Sequence, residues 1–281
     1  MVELAFSTNA YTEFSLPQAL DRIADAGYDG VEILADEPHA FLPNTSEDDR
    51  TRLERHLDNA GLDVANVNAN TAVGYYDDAP PSAFFEPSLC TATDEDRRWR
   101  IKYTKDAVDL AQRVGAPAVS VTSGRPLAGN PPEQAREHLT ESLHVILDYA
   151  EQRGVDVGIE FEPELLIECT AEALDLIDEI GRDRLGVNLD IGHAAVYGED
   201  LTETITQSAD HLTGVHLEDI DGGRRGKHYH RIPGEGDLDF EAIFATLDRV
   251  GYDGYATLEL YTYPEEPDRA AEESLTHLPN V

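Results

Sequence analysis

Runs of strand length, in which apolar side chains alternate with polar or small ones, recur along the chain, and each is followed by a stretch with helical spacing. Eight strand candidates stand out, at 4–8, 30–35, 63–70, 118–123, 156–162, 186–191, 214–218 and 255–261. Helical segments fill the intervals at 16–26, 47–60, 95–114, 132–153, 171–180, 201–209, 240–250 and 268–277. Ser15 ahead of Pro17, Asp200 with Glu203 three residues on, and Thr170 before AEALDLI read as helix starts. Gly27, Gly61, Gly115, Gly154, Gly181 and Gly251 read as helix stops. A short internal repeat supports the count: AGYDGVEI near residue 26 returns as VGYDGYATLEL near 250, and AGLDVANV near 60 resembles RGVDVGIE near 153. Eight strand–helix units favour a closed α/β barrel, a (β/α)8 TIM barrel filling residues 1–281 as a single domain, over an open sheet. The intervals 71–93 and 220–237 exceed ordinary loop length, and long loops in compact domains usually carry function.

The alternation also assigns faces. Val157, Ile159 and Phe161 alternate with Gly158, Glu160 and Glu162, and Val187, Leu189 and Ile191 alternate with Gly186, Asn188 and Asp190. Val215 and Leu217 alternate with Gly214, His216 and Glu218, and Leu258 and Leu260 with Thr257, Glu259 and Tyr261. Strand side chains have a period of two, so the apolar set faces the helices and the polar set faces the barrel axis. Asn66, Asn68, Ser120 and Thr122 extend the polar lining to earlier strands.

Glu160, Asp190, His216 and Glu259 all fall on the inward set, each near the C-terminal end of its run, where active sites form in parallel barrels. One buried acid is ordinarily half of a structural ion pair. Four inward acid or imidazole groups on four consecutive strands, with few basic residues beside them, would repel and desolvate one another without a divalent cation between them. Oxygen-rich ligation with one histidine suits Mn²⁺ first, with Mg²⁺, Co²⁺ and Zn²⁺ as alternatives.

Charge sharpens the picture. The formal net charge is −36, and only Lys102, Lys105 and Lys227 are lysines among 21 basic residues. The acids are scattered along helices, as at 172–179, which reads as a solubility adaptation to a high-salt (halophilic) cytoplasm and opposes binding to nucleic acid or anionic membrane. Cys90 and Cys169 are too few for a disulfide framework, and no run approaches the ~20 apolar residues that cross a bilayer. The expectation is a soluble, cytoplasmic protein. Against that acidic background, GGRRGKHYHRIPGEGD brings Arg224, Arg225, Lys227, His228, His230 and Arg231 together, as if to receive a phosphate or carboxylate. Arg125, after the fourth strand, is a candidate to join them. His193, three residues beyond Asp190, reads as a substrate or second-metal contact. The stretch 71–93, with Tyr75, Tyr76, Phe84 and Phe85, suits either a lid or a contact within a homo-oligomer.

Together GIEFEP, NLDIGH, VHLED, HYHRIPGEGDLDF and TLELY resemble the sugar phosphate isomerase/epimerase group with a xylose isomerase-like barrel. The resemblance spans nearly the whole chain and is strongest from residue 155 onward. It implies that Glu160, Asp190, His216 and Glu259 hold one divalent metal, that Glu160 and Glu259 move the proton, and that His193 binds substrate. The implied reaction is isomerisation or epimerisation of a small sugar or sugar acid, with or without a phosphate, through an enediolate. A second resemblance, to the endonuclease IV group of abasic-site DNA endonucleases with three zinc ions, matches Glu160, Asp190, His193, His216, His230 and Glu259. It departs at His228, where that group has Asp, and at Asn66, Asn68, Ser120 and Thr122, where its other histidine ligands are expected. Two metals then remain conceivable, with His193, His228 and His230 around the second. An inosose dehydratase-like lyase shares the ligand set, and a non-catalytic sugar binder is the alternative outside enzymes.

Overall fold

The alternation seen in the sequence is realised as a closed barrel of eight parallel strands. The structure, a computed structural model, describes residues 2–78, 84–221 and 228–279. The strands are β1 (Glu3–Ser7), β2 (Gly30–Leu34), β3 (Asp63–Asn68), β4 (Ala118–Thr122), β5 (Asp156–Glu160), β6 (Leu185–Asp190), β7 (Leu212–Leu217) and β8 (Tyr255–Leu258). They pair in chain order, and β8 closes on β1 with Phe6 opposite Leu258. Around them run α1 (Leu16–Ala26), α2 (Glu47–Ala60), α3 (Asp94–Val114), α4 (Pro132–Glu151), α5 (Thr170–Ile180), α6 (Ile191–Tyr197), α7 (Leu201–Ser208), α8 (Phe240–Val250) and α9 (Pro267–His277).

The apolar set of each strand faces the helix layer, as the period of two requires. Val157, Ile159, Val187, Leu189, Val215 and Leu217 are fully buried there, with Leu139, Leu143 and Ile146 of α4 and Leu176 of α5 in the same core. The polar set fills the lumen. Among the inward positions Gly214 is a glycine because a Cβ would run into the Asn188 amide, which reaches Glu160 on the neighbouring strand.

Several boundaries differ from the sequence reading, each for a local reason. The runs at 63–70, 156–162 and 255–261 leave the sheet at Asn68, Glu160 and Leu258, while Ala69, Phe161 and Leu260 beyond those ends stay buried in the core. Cys169 rather than Thr170 occupies the N-cap of α5, while the Thr170 hydroxyl donates to Glu199 at 2.6 Å. The short α6 was not foreseen: the Asp190 carboxylate, at the end of β6, accepts from the His193 amide and starts a helix at once. Both Ser15 and Asp200 cap their helices as expected. Among the described residues no helix is long and apolar enough to cross a membrane.

One buried cation ties the mouth of the barrel down. Arg100, on α3, is 1% exposed and donates to the carbonyls of Ala69, Asn70 and Thr71 after β3, and to that of Pro87. A guanidinium is suited to this, since it presents five donors in a rigid fork. Its replacement leaves several carbonyls unpaired in the interior and an unfilled volume. Arg100→Met should therefore destabilise the fold by about 3 kcal/mol or more, and increase proteolysis within 71–93 before the barrel itself unfolds; chemical denaturation and limited proteolysis measure both effects.

Candidate active site

Register converts the inward positions into a cluster. Asp190 on β6 lies opposite His216 on β7, Glu160 ends β5, and Glu259 follows β8 directly, its amide bonded to the Leu217 carbonyl at 3.1 Å. The ligand atoms of Glu160, Asp190, His216 and Glu259 all lie within 4.8 Å of one another, and all four residues are buried. His216 stands among the acids, its Nδ1 at 3.3 Å from Glu160 Oε2, 3.6 Å from Glu259 Oε2 and 3.9 Å from Asp190 Oδ2. Neutral side chains hold the carboxylates in place. Asn188 Nδ2 donates to Glu160 Oε2 at 2.6 Å, while Asn9 and Asn68 donate to Glu259 Oε1 at 2.9 and 3.1 Å. Asp190 Oδ1 is bonded to the His193 amide, and its Oδ2 is buried without a hydrogen-bond partner among the described residues.

The electrostatics follow from that crowding. Burial, reinforced by the Asp190 charge, pushes the Glu160 carboxyl up to about 7. Burial raises Glu259 well above the usual carboxylate range, helped by Glu160, Glu32 and Asp190 and opposed by His216. Asp190 is held well below its ordinary value: burial opposes its ionisation, but the surrounding His193, His230 and His216 outweigh it. His216 is raised well above an ordinary imidazole, because Glu32, Glu259 and Glu160 overcome its burial. Three acids and an imidazole thus share protons where a divalent cation would satisfy all four. The donor set, the unpartnered Asp190 oxygen and the absence of any Lys or Arg contact to these four side chains among the described residues all fit such an ion.

A second group borders the first. The ligand atoms of His193, His228 and His230 also lie within 4.8 Å of one another, with ring centroids 4.8 to 5.7 Å apart. His193 Nδ1 donates to the Phe161 carbonyl at 3.1 Å and His230 Nδ1 to the Glu259 carbonyl at 2.6 Å, so each keeps a free lone pair on Nε2. Burial lowers His193 to about 4 and His230 to about 3, and it lowers His228 as well. This part of the loop therefore brings neutral imidazoles to the mouth, where the sequence suggested positive charge. Arg224 and Arg225 lie outside the described residues. Arg125 stands at the rim after β4, 3.4 Å from Glu164, and its charge offsets part of the rise at Glu162.

Two buried acids escaped the sequence reading of the site. Glu32, on β2, bonds His216 Nε2 at 2.7 Å. Glu218 lies against the start of α6, where its Oε1 accepts the Gly192 amide so closely that any Cβ at residue 192 would collide with it. Burial, then Asp190, pushes the Glu218 carboxyl well above its usual range. Glu218 was legible as an inward residue two after His216. Glu32 carried the same signal, one acid between outward Val31 and Ile33, in a run that otherwise reads as plain core.

Comparison with known proteins places this geometry in context. The family described as xylose isomerase-like TIM barrel matches residues 20–281. Fructoselysine 3-epimerase of Shigella flexneri is 26% identical over 272 residues, spanning 95% of this chain and 94% of that protein. Among solved structures, 3-keto-D-glucoside 4-epimerase from E. coli, in its apo form, superposes with a TM-score of 0.78 at 20% identity, covering 98% of both chains. IOLI protein with a zinc atom superposes with a TM-score of 0.79 at 17% identity, covering 98% of this chain and 96% of that one. At these identities the two structures speak to the fold, while the family match spans every residue of the acid–imidazole cluster. The chain belongs to the xylose isomerase-like TIM barrel family.

Proposed function

We propose that the protein is a divalent-metal-dependent isomerase or epimerase of a small sugar or sugar acid. The observation that carries this reading is the pairing of Glu160 and Glu259, two buried glutamates in one acid–imidazole cluster, both with raised proton affinity. The 26%-identical fructoselysine 3-epimerase, which aligns along almost the full chain, supports the same class of reaction.

Glu160, Asp190, His216 and Glu259 would hold the ion. When bound, a divalent cation supplies Lewis acidity toward a sugar carbonyl and its neighbouring hydroxyl. The chain's own residues do the rest. One glutamate removes the proton beside the carbonyl and the other returns one, from the opposite face in an epimerisation. Two carboxyls with raised proton affinity, Glu160 at about 7 and Glu259 raised as well, suit groups that take up and return a proton. His193, His228 and His230 offer neutral nitrogens to substrate hydroxyls, and burial at the mouth limits water. Arg125, with Arg224 and Arg225, would meet an anionic substrate end.

The free Nε2 atoms of His193 and His230, with His228 beside them, also favour a second reading, a multi-zinc abasic-site nuclease. Where that group needs further histidines, however, Asn66 and Asn68 bond Glu32 and Thr122 bonds the Asn70 carbonyl. Two or more zinc ions per chain by elemental analysis, together with nicking of abasic DNA, would select the nuclease; one ion and no nicking select the isomerase.

Hydrogen exchange tests the chemistry. With ketoses, aldoses and their phosphates in D₂O, Mn²⁺ and molar salt, deuterium should enter one carbon-bound position of the true substrate. Glu160→Gln and Glu259→Gln should each lower that exchange by about 10²–10⁴-fold, and full exchange in both variants refutes the assignment.

Proton competition tests the metal centre. A group with a raised value stays protonated below it, and a cation needs the carboxylate; Glu160 therefore resists binding below about 7, and Glu259, also raised, adds to that resistance. Mn²⁺ affinity should rise as the pH passes upward through about 7, with protons released on binding, as calorimetry in buffers of different ionisation heat will show. A pH-independent affinity would count against this ligand set.

A further inference from the structure

One ionised side chain in the lumen has no part in the chemistry above. Glu32 is completely buried, and four donors from three other strands saturate it. Its Oε1 accepts from Ser7 Oγ on β1 at 2.8 Å and from Asn68 Nδ2 on β3 at 3.1 Å. Its Oε2 accepts from Asn66 Nδ2 on β3 and from His216 Nε2 on β7, both at 2.7 Å. Desolvating a carboxylate this fully costs several kcal/mol before its partners are counted, and barrels ordinarily fill such layers with branched apolar side chains. The fold alone gives no reason for an acid at residue 32.

The reason lies in the imidazole. An ionised carboxylate only accepts hydrogen bonds, so the proton between Glu32 and His216 sits on Nε2. Nδ1 is thereby the nitrogen turned toward Glu160, Glu259 and Asp190. The other neighbour of the ring could not make that choice: Asn188 Nδ2 lies 3.4 Å from Nδ1 and 3.2 Å from Nε2, nearly equidistant. Asn68 extends the same control to a second ligand, since its amide nitrogen reaches both Glu32 Oε1 and Glu259 Oε1 at 3.1 Å.

We propose that Glu32 is a positioning residue of the metal centre, acting through His216: it fixes the ring as the Nε2–H form and presents the Nδ1 lone pair to the cation. Carboxylate partners of this kind orient metal-bound imidazoles and strengthen them as donors. The inference rests on the metal-centre reading, and the experiment separates the two. If the full-length wild-type protein takes up no Mn²⁺ in a calorimetric titration, the metal-centre reading itself fails. If it binds, Glu32→Gln should weaken Mn²⁺ affinity by about 10–100-fold. In a His216→Gln background the same substitution should change affinity less than about twofold, because the imidazole through which it acts is gone. A purely structural plug would instead lower affinity equally in both backgrounds, or lower only thermal stability. Glu32→Asp, which keeps the charge on a shorter arm, gives an intermediate loss and serves if the amide variant does not fold. On the Zn²⁺-loaded protein, ¹H–¹⁵N histidine NMR should show the His216 Nε2–H proton far downfield from its bond to Glu32 in wild type and moved upfield in Glu32→Gln. Equal Mn²⁺ affinity in wild type and Glu32→Gln, with His216 unchanged by NMR, overturns the proposal.

Discussion

The crowding of three carboxylates around one buried imidazole is the constraint from which the rest of the mouth follows. Strand register puts them there: Asp190 and His216 are paired neighbours on β6 and β7, and Glu160 and Glu259 arrive from the flanking strands. With water excluded, like charges this close cannot all ionise, so the cluster divides into unequal states. Asp190 stays ionised beside its three imidazoles, whereas Glu160 and Glu259 hold their protons more tightly. Asn9, Asn68 and Asn188 are the right companions for such a centre, because amides orient carboxylates without neutralising them.

The barrel and its four central side chains were legible because both are written in periodicity. On β5 to β8 an alternation of branched apolar residues with Gly, Asn, Thr, Asp, Glu and His announces a two-faced strand, and Glu160, Asp190, His216 and Glu259 sit at or just beyond its last inward step. What was missed lacked a period or a contrast. DIGHAAVYG is too short to show helical spacing, and α6 exists because Asp190 caps it. Strand ends were drawn too long where apolar residues such as Leu260 continue into a loop that still packs on the core. Glu32 was hidden by its neighbours: in GVEIL a single acid inside an apolar run gives no hint that four donors converge on it from other strands. That convergence is a tertiary fact, assembled from residues as far apart as Ser7 and His216.

The neutral histidines beside the centre bear on what can enter it. In the proposed reaction Glu32, Asp190 and the proton-removing glutamate are ionised while the proton-returning glutamate is protonated, and a dication with a neutral His216 leaves a net of about −1. An anionic group on a substrate would be repelled there, which under the proposed function favours a phosphate or carboxylate held away from the acids. A neutral polyol meets no such barrier. Proton abstraction also leaves the balance intact: the substrate gains a negative charge as a glutamate loses one, and the reverse step restores both. In the proposed reaction the centre and its substrate together keep a constant net charge while the proton passes between them. Low-dielectric burial then penalises neither half of the proposed cycle, so an acidic cluster in the interior is compatible with proton transfer.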